Sequence, residues 1–503
     1  MNRQIRQLGV ALLLLFALLF ARLNWVQVFA ADDLTANPLN TRRVVRDFGQ
    51  RRGNIVTADG VIVAQSVDVE GRFDRERRYP EGELFSPITG YFSFEFGATG
   101  VERTYNDELA GHSATQQFES FFDFFGDGDV SGDVTLTIDS ELQAAAANAL
   151  GQRRGSVVAL DPSTGEVLAF YSWPTFDPNT ISTTDLDAAR AAKEALDADP
   201  GVPLLTSANR QVFPPGSTFK VITAASALEN RVATPTDPVF PEVVSYDLPL
   251  TEVAMQNFAG LACGGDLATS LARSCNTSFA ELGAEFLGPE PMIATSERFG
   301  FNDTTPFDIP LTAASRFPTD YGIQLGLSDQ IPPAPIVEGS SLLAQASIGQ
   351  FDVRATPLQM ALVAAAVANE GNIMEPHVLA QVTDASDGEL LDEFEPRIWR
   401  QALDPAIART TADLMVGVVD SGTATSLARS GLRIGAKTGT AEVNSADQSE
   451  DTHAWTIAFA GPTNGESELA LAVIVEAVPG GGEQTGGAVA GPVAAAVIDA
   501  YFR

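Results

Sequence analysis

From Leu8 to Ala21 the chain carries no polar side chain, whereas beyond residue 50 polar and apolar positions alternate in short blocks. Arg3 and Arg6 precede the apolar run, and Arg22 and Trp25 follow it. Positive charge ahead of such a run sets the N-terminus inside. At 1.5 Å per residue the run covers only ~21 Å of a ~30 Å hydrocarbon core. A spanning helix therefore needs Arg22 to snorkel outward and Trp25 to sit at the far interface. The alternative is a cleaved signal ending at Val28-Phe29-Ala30, but Arg22 and Trp25 lie awkwardly between an apolar core and such a site. The anchor is the preferred reading, and both readings put the remainder outside the cytoplasm. The expected location is the cell membrane, with a single pass and an extracytoplasmic catalytic region.

Residues 31–133 are rich in Arg and Phe, with short alternating runs such as "NIVTADGVIVAQS" turning at "ADG". They predict a small β-rich pedestal. From residue 134 the texture changes. "VTLTID" alternates as a strand, "SELQAAAANAL" has helical spacing, and "GSVVALDPSTGEVLAFYS" reads as two strands around a Pro-Ser-Thr-Gly turn. "LATSLARSCNTSFAELG", "TPLQMALVAAAVANEG" and "TTADLMVGVVDSG" read as helical runs, the last two closed by glycine. "LRIGAKTGTAE", "HAWTIAFAG" and "LALAVIVEAV" read as strands, and "AGPVAAAVIDAYF" as a final helix. Strands and helices at both ends of residues 134–503 predict one large α+β domain closed by its own termini. The expected organisation is thus 1–30 tail and anchor, 31–133 pedestal, and 134–503 catalytic domain.

Composition narrows the function. With 65 acidic against 31 basic residues and a net charge of −34, the chain lacks the clustered cations that nucleic acids require. "FFDFFGDGDVSGD" opens like a calcium loop at Asp127, Asp129, Ser131 and Gly132, but its twelfth position is Ile138 in place of a bidentate Glu, so it reads as an acidic connector. His112, His377 and His453 are scattered and, with two cysteines, make a poor metal site; no cofactor is expected. Cys263 and Cys275 are either free thiols or one bridge, and their exported, closely spaced positions favour the bridge.

Only three of the 31 basic residues are lysines: Lys193, Lys220 and Lys437. Where arginine serves nearly every need for positive charge, a lysine invites chemistry that guanidinium cannot do, namely losing its proton. Lys220 stands three residues after Ser217 in "PPGSTFK", whose Pro-Pro-Gly suits the threshold of a helix. Residues i and i+3 share a helix face, so the Lys220 amine is expected beside the Ser217 hydroxyl as its base. Taken alone, a Ser N-cap with a solvated lysine explains the pattern as well. Lys437, with Thr438, Gly439 and Thr440, lies in a strand-like run where buried charge is unusual. There it would serve as a fixed cation beside a substrate carboxylate. Ser274-Cys275-Asn276 adds a Ser-x-Asn pattern between these two. Ser207-Ala208-Asn209 matches equally well but lies just before the nucleophile.

Ser217-Thr218-Phe219-Lys220, Ser274-Cys275-Asn276 and Lys437-Thr438-Gly439, in this order, resemble the three motifs of penicillin-recognising serine enzymes. "RRGNIVTADGVIVAQS", "GATGVERTYNDELAG", "NRQVFPPGSTFK" and "ASIGQFDVRATPLQMA" narrow the resemblance to class B penicillin-binding proteins, especially the actinobacterial PbpA-like group. The resemblance implies an α+β transpeptidase domain, an antiparallel sheet with flanking helices and a helical subdomain, on a β-rich pedestal behind one transmembrane helix. It further implies a peptidoglycan D,D-transpeptidase that β-lactams inactivate through an acyl-enzyme. Ser217 would be the nucleophile and Lys220 the acylation base, while Ser274 and Lys437 would pass a proton to the leaving amine. Asn276 would hold the substrate amide, and Thr438, Gly439 and Thr440 would line the carboxylate site. Implied partners are stem peptides ending in D-Ala-D-Ala, β-lactams, the membrane, and glycosyltransferase, divisome or elongasome proteins. The span between anchor and catalytic region leaves no room for a glycosyltransferase domain. A D,D-carboxypeptidase shares all three motifs, and a β-lactam sensor or divisome scaffold keeps the acylation site for another end. A β-lactamase would need a deacylating glutamate that no motif here supplies.

Overall fold

The computed structural model describes residues 2–25, 48, 50–70, 73–113, 131–443 and 451–503. Val28–Ala30, Asp127 and Asp129 lie outside the described residues. Helix α1, Asn2–Asn24, contains the apolar run and extends it at both ends, so its 23 residues measure ~35 Å and place Arg22 in the last turn.

Along the chain there follow β1 (Ile55–Val56), β2 (Ile62–Asp68), β3 (Arg75–Arg78), β4 (Gly132–Leu136), α2 (Ser140–Leu150), β5 (Gly155–Leu160) and β6 (Val167–Trp173). The helical part comprises α3 (Lys220–Glu229), α4 (Leu267–Arg273), α5 (Asn276–Glu281) and α6 (Pro357–Ala368). Then come β7 (Leu379–Asp384), β8 (Leu390–Glu393), α7 (Pro405–Ser421), β9 (Leu432–Glu442), β10 (Thr452–Pro462), β11 (Leu469–Val475) and α8 (Gly486–Tyr501).

The catalytic region is built on a five-stranded sheet ordered β9-β10-β11-β5-β6, antiparallel throughout. β11 is buried at every position and β10 at most, so these unbroken apolar stretches are central strands with both faces covered. Helices α2 and α8 pack on each other and on the sheet, and α6 and α7 form a second packed pair against it. β9 is an edge strand, which leaves backbone groups on its outer side free to meet a ligand.

A second sheet is ordered β8-β7-β4-β1-β2-β3. β4 pairs parallel with β1 and antiparallel with β7, so the pedestal sheet recruits β7 from far along the chain. Beside it the Glu102 carboxylate is fully buried between Arg52 Nε (2.7 Å) and Arg77 Nε (2.6 Å), and Tyr79 donates its hydroxyl to it.

The run 267–281 departs from the expected single helix. Ser274 adopts the left-handed conformation (φ 62°, ψ 43°), ending α4, and Cys275 is extended before α5 begins. Two long-range ties hold this corner: a disulfide joining Cys275 to Cys263, and hydrogen bonds from the first amides of α5 to Asn257. Neither tie is written in the local periodicity.

Candidate active site

The stretch preceding Ser217 is fixed by contacts that tolerate little else. Trp455 donates its indole N–H to Pro214 O (3.0 Å), and Thr218 Oγ1 donates to Pro215 O (2.7 Å). Gly216 has φ +54°, and a Cβ there would lie 2.6 Å from Thr440 O, so glycine lets the turn abut the edge strand β9. Gly439 answers from the strand side, where a Cβ would meet Pro215 O and Thr218 at 2.9 Å. Ser217 lies in a 3-10 turn, Gly216–Phe219, and the α-helix proper starts at Lys220. The half-buried serine thus sits where a helix N-terminus meets a strand edge.

The expected bond between Lys220 and Ser217 is absent in this state. Lys220, fully buried, donates through Nζ to Ser274 O (2.8 Å) and Asn276 Oδ1 (2.7 Å), and lies 3.3 Å from Ser274 Oγ. The amine bridges the gap to the α4–α5 corner because carbonyl and amide oxygens there need donors. The left-handed Ser274 is what turns both its carbonyl and its hydroxyl toward the lysines. Lys437, equally buried, donates to that hydroxyl (2.8 Å) and to Thr438 O (2.8 Å).

Neither lysine has an ion-pair partner among the described residues. Burial, and then the charge of Lys437, push the Lys220 amine well below the ordinary lysine range. Burial pushes Lys437 down to about 7. A lysine lowered this far can exchange a proton near neutrality. A neutral Lys220 has two N–H groups and one lone pair. Ser274 O and Asn276 Oδ1 only accept, so they take the two N–H groups and leave the lone pair for a hydroxyl proton. Ser274 then accepts from Lys437 and can donate toward Lys220, which makes a continuous proton path between the two amines.

The structure thus brings Lys220, Ser274, Asn276 and Lys437 into one hydrogen-bonded cluster, with Ser217 on the adjoining turn and Thr438, Gly439 and Thr440 on the adjoining strand. Ser207, of the competing Ser-x-Asn pattern, is buried elsewhere with its hydroxyl 2.6 Å from Ser156 Oγ. Two neighbours carry no motif signal. Thr423 places its hydroxyl 2.6 Å from that of Thr438, and Asn257 binds the start of α5. Both lie in loops, where single polar residues have no periodicity to mark them. Beyond Ala441 a 160 Å³ pocket opens, with Pro214, Gln350, Arg354 and Glu442 in its wall.

A serine at a helix start, a desolvated lysine able to take its proton and a strand edge able to hold a peptide define a serine acyl-transfer enzyme of the lysine-assisted type. Residues 155–499 match the penicillin binding protein transpeptidase domain, and residues 52–134 match the penicillin binding protein A dimerisation domain. The chain belongs to the penicillin-binding protein transpeptidase family, as a PbpA-like class B member. It is 39% identical over 516 aligned residues to peptidoglycan D,D-transpeptidase PbpA of Mycolicibacterium smegmatis, covering 100% of this chain and 99% of that one. The PbpA of Mycobacterium tuberculosis is 34% identical over 522 residues, with 100% and 99% covered. Among solved structures, the penicillin G acyl-enzyme of penicillin-binding protein A from M. tuberculosis superposes with a TM-score of 0.79 at 33% identity, covering 90% of this chain and 100% of that one. The imipenem acyl-enzyme of that protein gives 0.80 at 32%, with 91% and 100% covered.

Proposed function

We propose that this chain is a peptidoglycan D,D-transpeptidase in which Ser217 attacks the carbonyl of the penultimate D-Ala of a stem peptide. The bond from Ser217 Oγ to the carbonyl carbon forms as the Ser217 proton passes to neutral Lys220. The C–N bond to the terminal D-Ala then breaks, and the departing amine takes a proton delivered through Ser274, with Lys437 behind it. An amine from a second stem peptide next attacks the acyl carbon, gives up its proton to the same relay, and releases Ser217. The backbone amides of Ser217 and Thr440 form the oxyanion hole, the second Nδ2 proton of Asn276 holds the substrate amide, and Thr438 and Thr440 take the terminal carboxylate. The observation that carries this reading is the convergence of two buried, unpaired lysines on one serine hydroxyl next to the nucleophile's turn.

A β-lactam presents the same carbonyl and carboxylate and leaves the acyl-enzyme at Ser217. The apolar helix α1 is consistent with an anchor that holds residues 134–503 outside the membrane on the 31–133 pedestal. Glycan strands then come from a glycosyltransferase of the division or elongation machinery. The test is incubation of the purified full chain with stem-peptide dimer substrate. Cross-linked product with one D-Ala released per link is expected, and trimmed monomer alone would replace the transpeptidase by a carboxypeptidase.

A further inference from the structure

Helix α5 begins at Asn276 without a cap of its own, because the residue before it is Cys275, whose sulfur is spent in the disulfide. Its first amides are satisfied from another part of the chain. Asn276 N and Thr277 N donate to the side-chain oxygen of Asn257 at 2.8 and 3.1 Å, and Asn257 is 5% exposed. Asn257 Nδ2 donates in turn to Val243 O (2.9 Å) and to Thr277 Oγ1 (3.1 Å). Val243 O can only accept, so the Asn257 amide has one orientation, with its oxygen on α5.

The residue before it acts on the same target. Gln256 O accepts from Asn276 Nδ2 (3.0 Å), which forces Asn276 Oδ1 to be the end that faces Lys220. Reversed, the Asn276 amide would aim N–H groups at the amine. We infer that Asn257 is a positioning residue for acyl transfer: with the Gln256 carbonyl it fixes the place and orientation of Asn276, and through Asn276 the hydrogen bonding of Lys220. This rests on the roles proposed above for Asn276 and Lys220. An Asn cap is ordinarily a helix-stability device, but here the capped residue is one whose own side chain binds the base.

The test compares Asn257→Ala, Asn257→Ser and Asn257→Asp in the full chain, reading the rate constant of acylation by a fluorescent penicillin separately from the fraction of molecules that label. Asn257→Ala is expected to slow acylation on the order of tenfold at pH 7 with the labelled fraction unchanged, since a lost cap and a displaced hydrogen bond to the base each count. Asn257→Ser, which still offers an oxygen to the amides, is expected to recover most of that rate. Asn257→Asp keeps the acceptor but adds a negative charge near the lysines. It is expected to move the acidic limb of the acylation profile to higher pH, because a nearby anion favours the protonated amine. A merely structural Asn257 would instead reduce the labelled fraction and the melting temperature, with rate and pH profile per active molecule unchanged, and that result would overturn the inference. Failure of the unaltered protein to acylate at all would overturn both this inference and the transpeptidase reading.

Discussion

Burying Lys220 and Lys437 with no carboxylate paired to them among the described residues costs the fold, and the cost has a definite pH dependence. A lysine whose folded value is lowered binds fewer protons than its unfolded counterpart between the two values. Stability therefore falls as pH drops from ~10.5 toward the folded value and levels off below it. For Lys437, held at about 7, the penalty at neutral pH is on the order of 4 kcal/mol before its hydrogen bonds offset part of it. Lys437→Met should accordingly raise the melting temperature by a few degrees at pH 7, with the gain shrinking toward pH 9.5, while acylation collapses. Equal or lower stability at pH 7 would contradict the burial cost. Acylation itself should fall as pH drops through the Lys220 value, since only the neutral amine accepts a proton. In Lys437→Met the acidic limb should move to higher pH, because the charge that helps depress Lys220 is gone. Lys220→Arg should lose at least a thousandfold in acylation rate, for guanidinium keeps the charge but cannot take the serine's proton.

At the scale of elements, the catalytic geometry depends on a break rather than on a helix. The corner at Ser274 and Cys275 exists because a disulfide and a borrowed cap hold it, and the disulfide closes a short loop worth about 3 kcal/mol on chain-entropy grounds. Replacing both cysteines by serine should lower the melting temperature by only a few degrees but slow penicillin acylation at least tenfold, since Ser274 then loses its fixed turn. An unchanged acylation rate would show that the corner holds without the disulfide. This is where the sequence was hardest to read. "SELQAAAANAL" and the strands at 432–442, 452–462 and 469–475 announce themselves because one periodicity runs through each and is packed the same way throughout. Helical spacing also runs through 267–281, and nothing local marks the left-handed residue within it. The site residues were legible as motifs for a different reason. In a chain with three lysines, two of them beside a serine or within a strand stand out by composition. Thr423 and Asn257, ordinary polar residues in loops, do not.

For the molecule as a whole, the pedestal and the catalytic region are not separable beads. β4, at the boundary expected from composition, is sandwiched between β1 of the pedestal and β7 from deep within the catalytic part. The half-buried Asp308 carboxylate accepts both the Tyr105 hydroxyl (2.9 Å) and the amides of Val378 and Leu379. Pairing between strands hundreds of residues apart leaves no local trace in the sequence. Within the pedestal, burial alone would raise the Glu102 carboxyl, but Arg77 and Arg52 together hold it below the ordinary range. Glu102→Gln would leave two buried guanidinium groups without their counter-charge and should cost roughly 3 to 5 kcal/mol. Thermal unfolding should show that loss, and a variant melting with the unaltered protein would contradict the ion triad's role. The central claim, that this fold presents Ser217 as an acylating nucleophile, is tested most directly by brief reaction of the full chain with benzylpenicillin, proteolysis, and mass mapping of the adduct. One penicilloyl group on the peptide carrying Ser217, and none in Ser217→Ala, is the predicted result; an adduct on any other residue, or labelling that survives that substitution, would contradict the account.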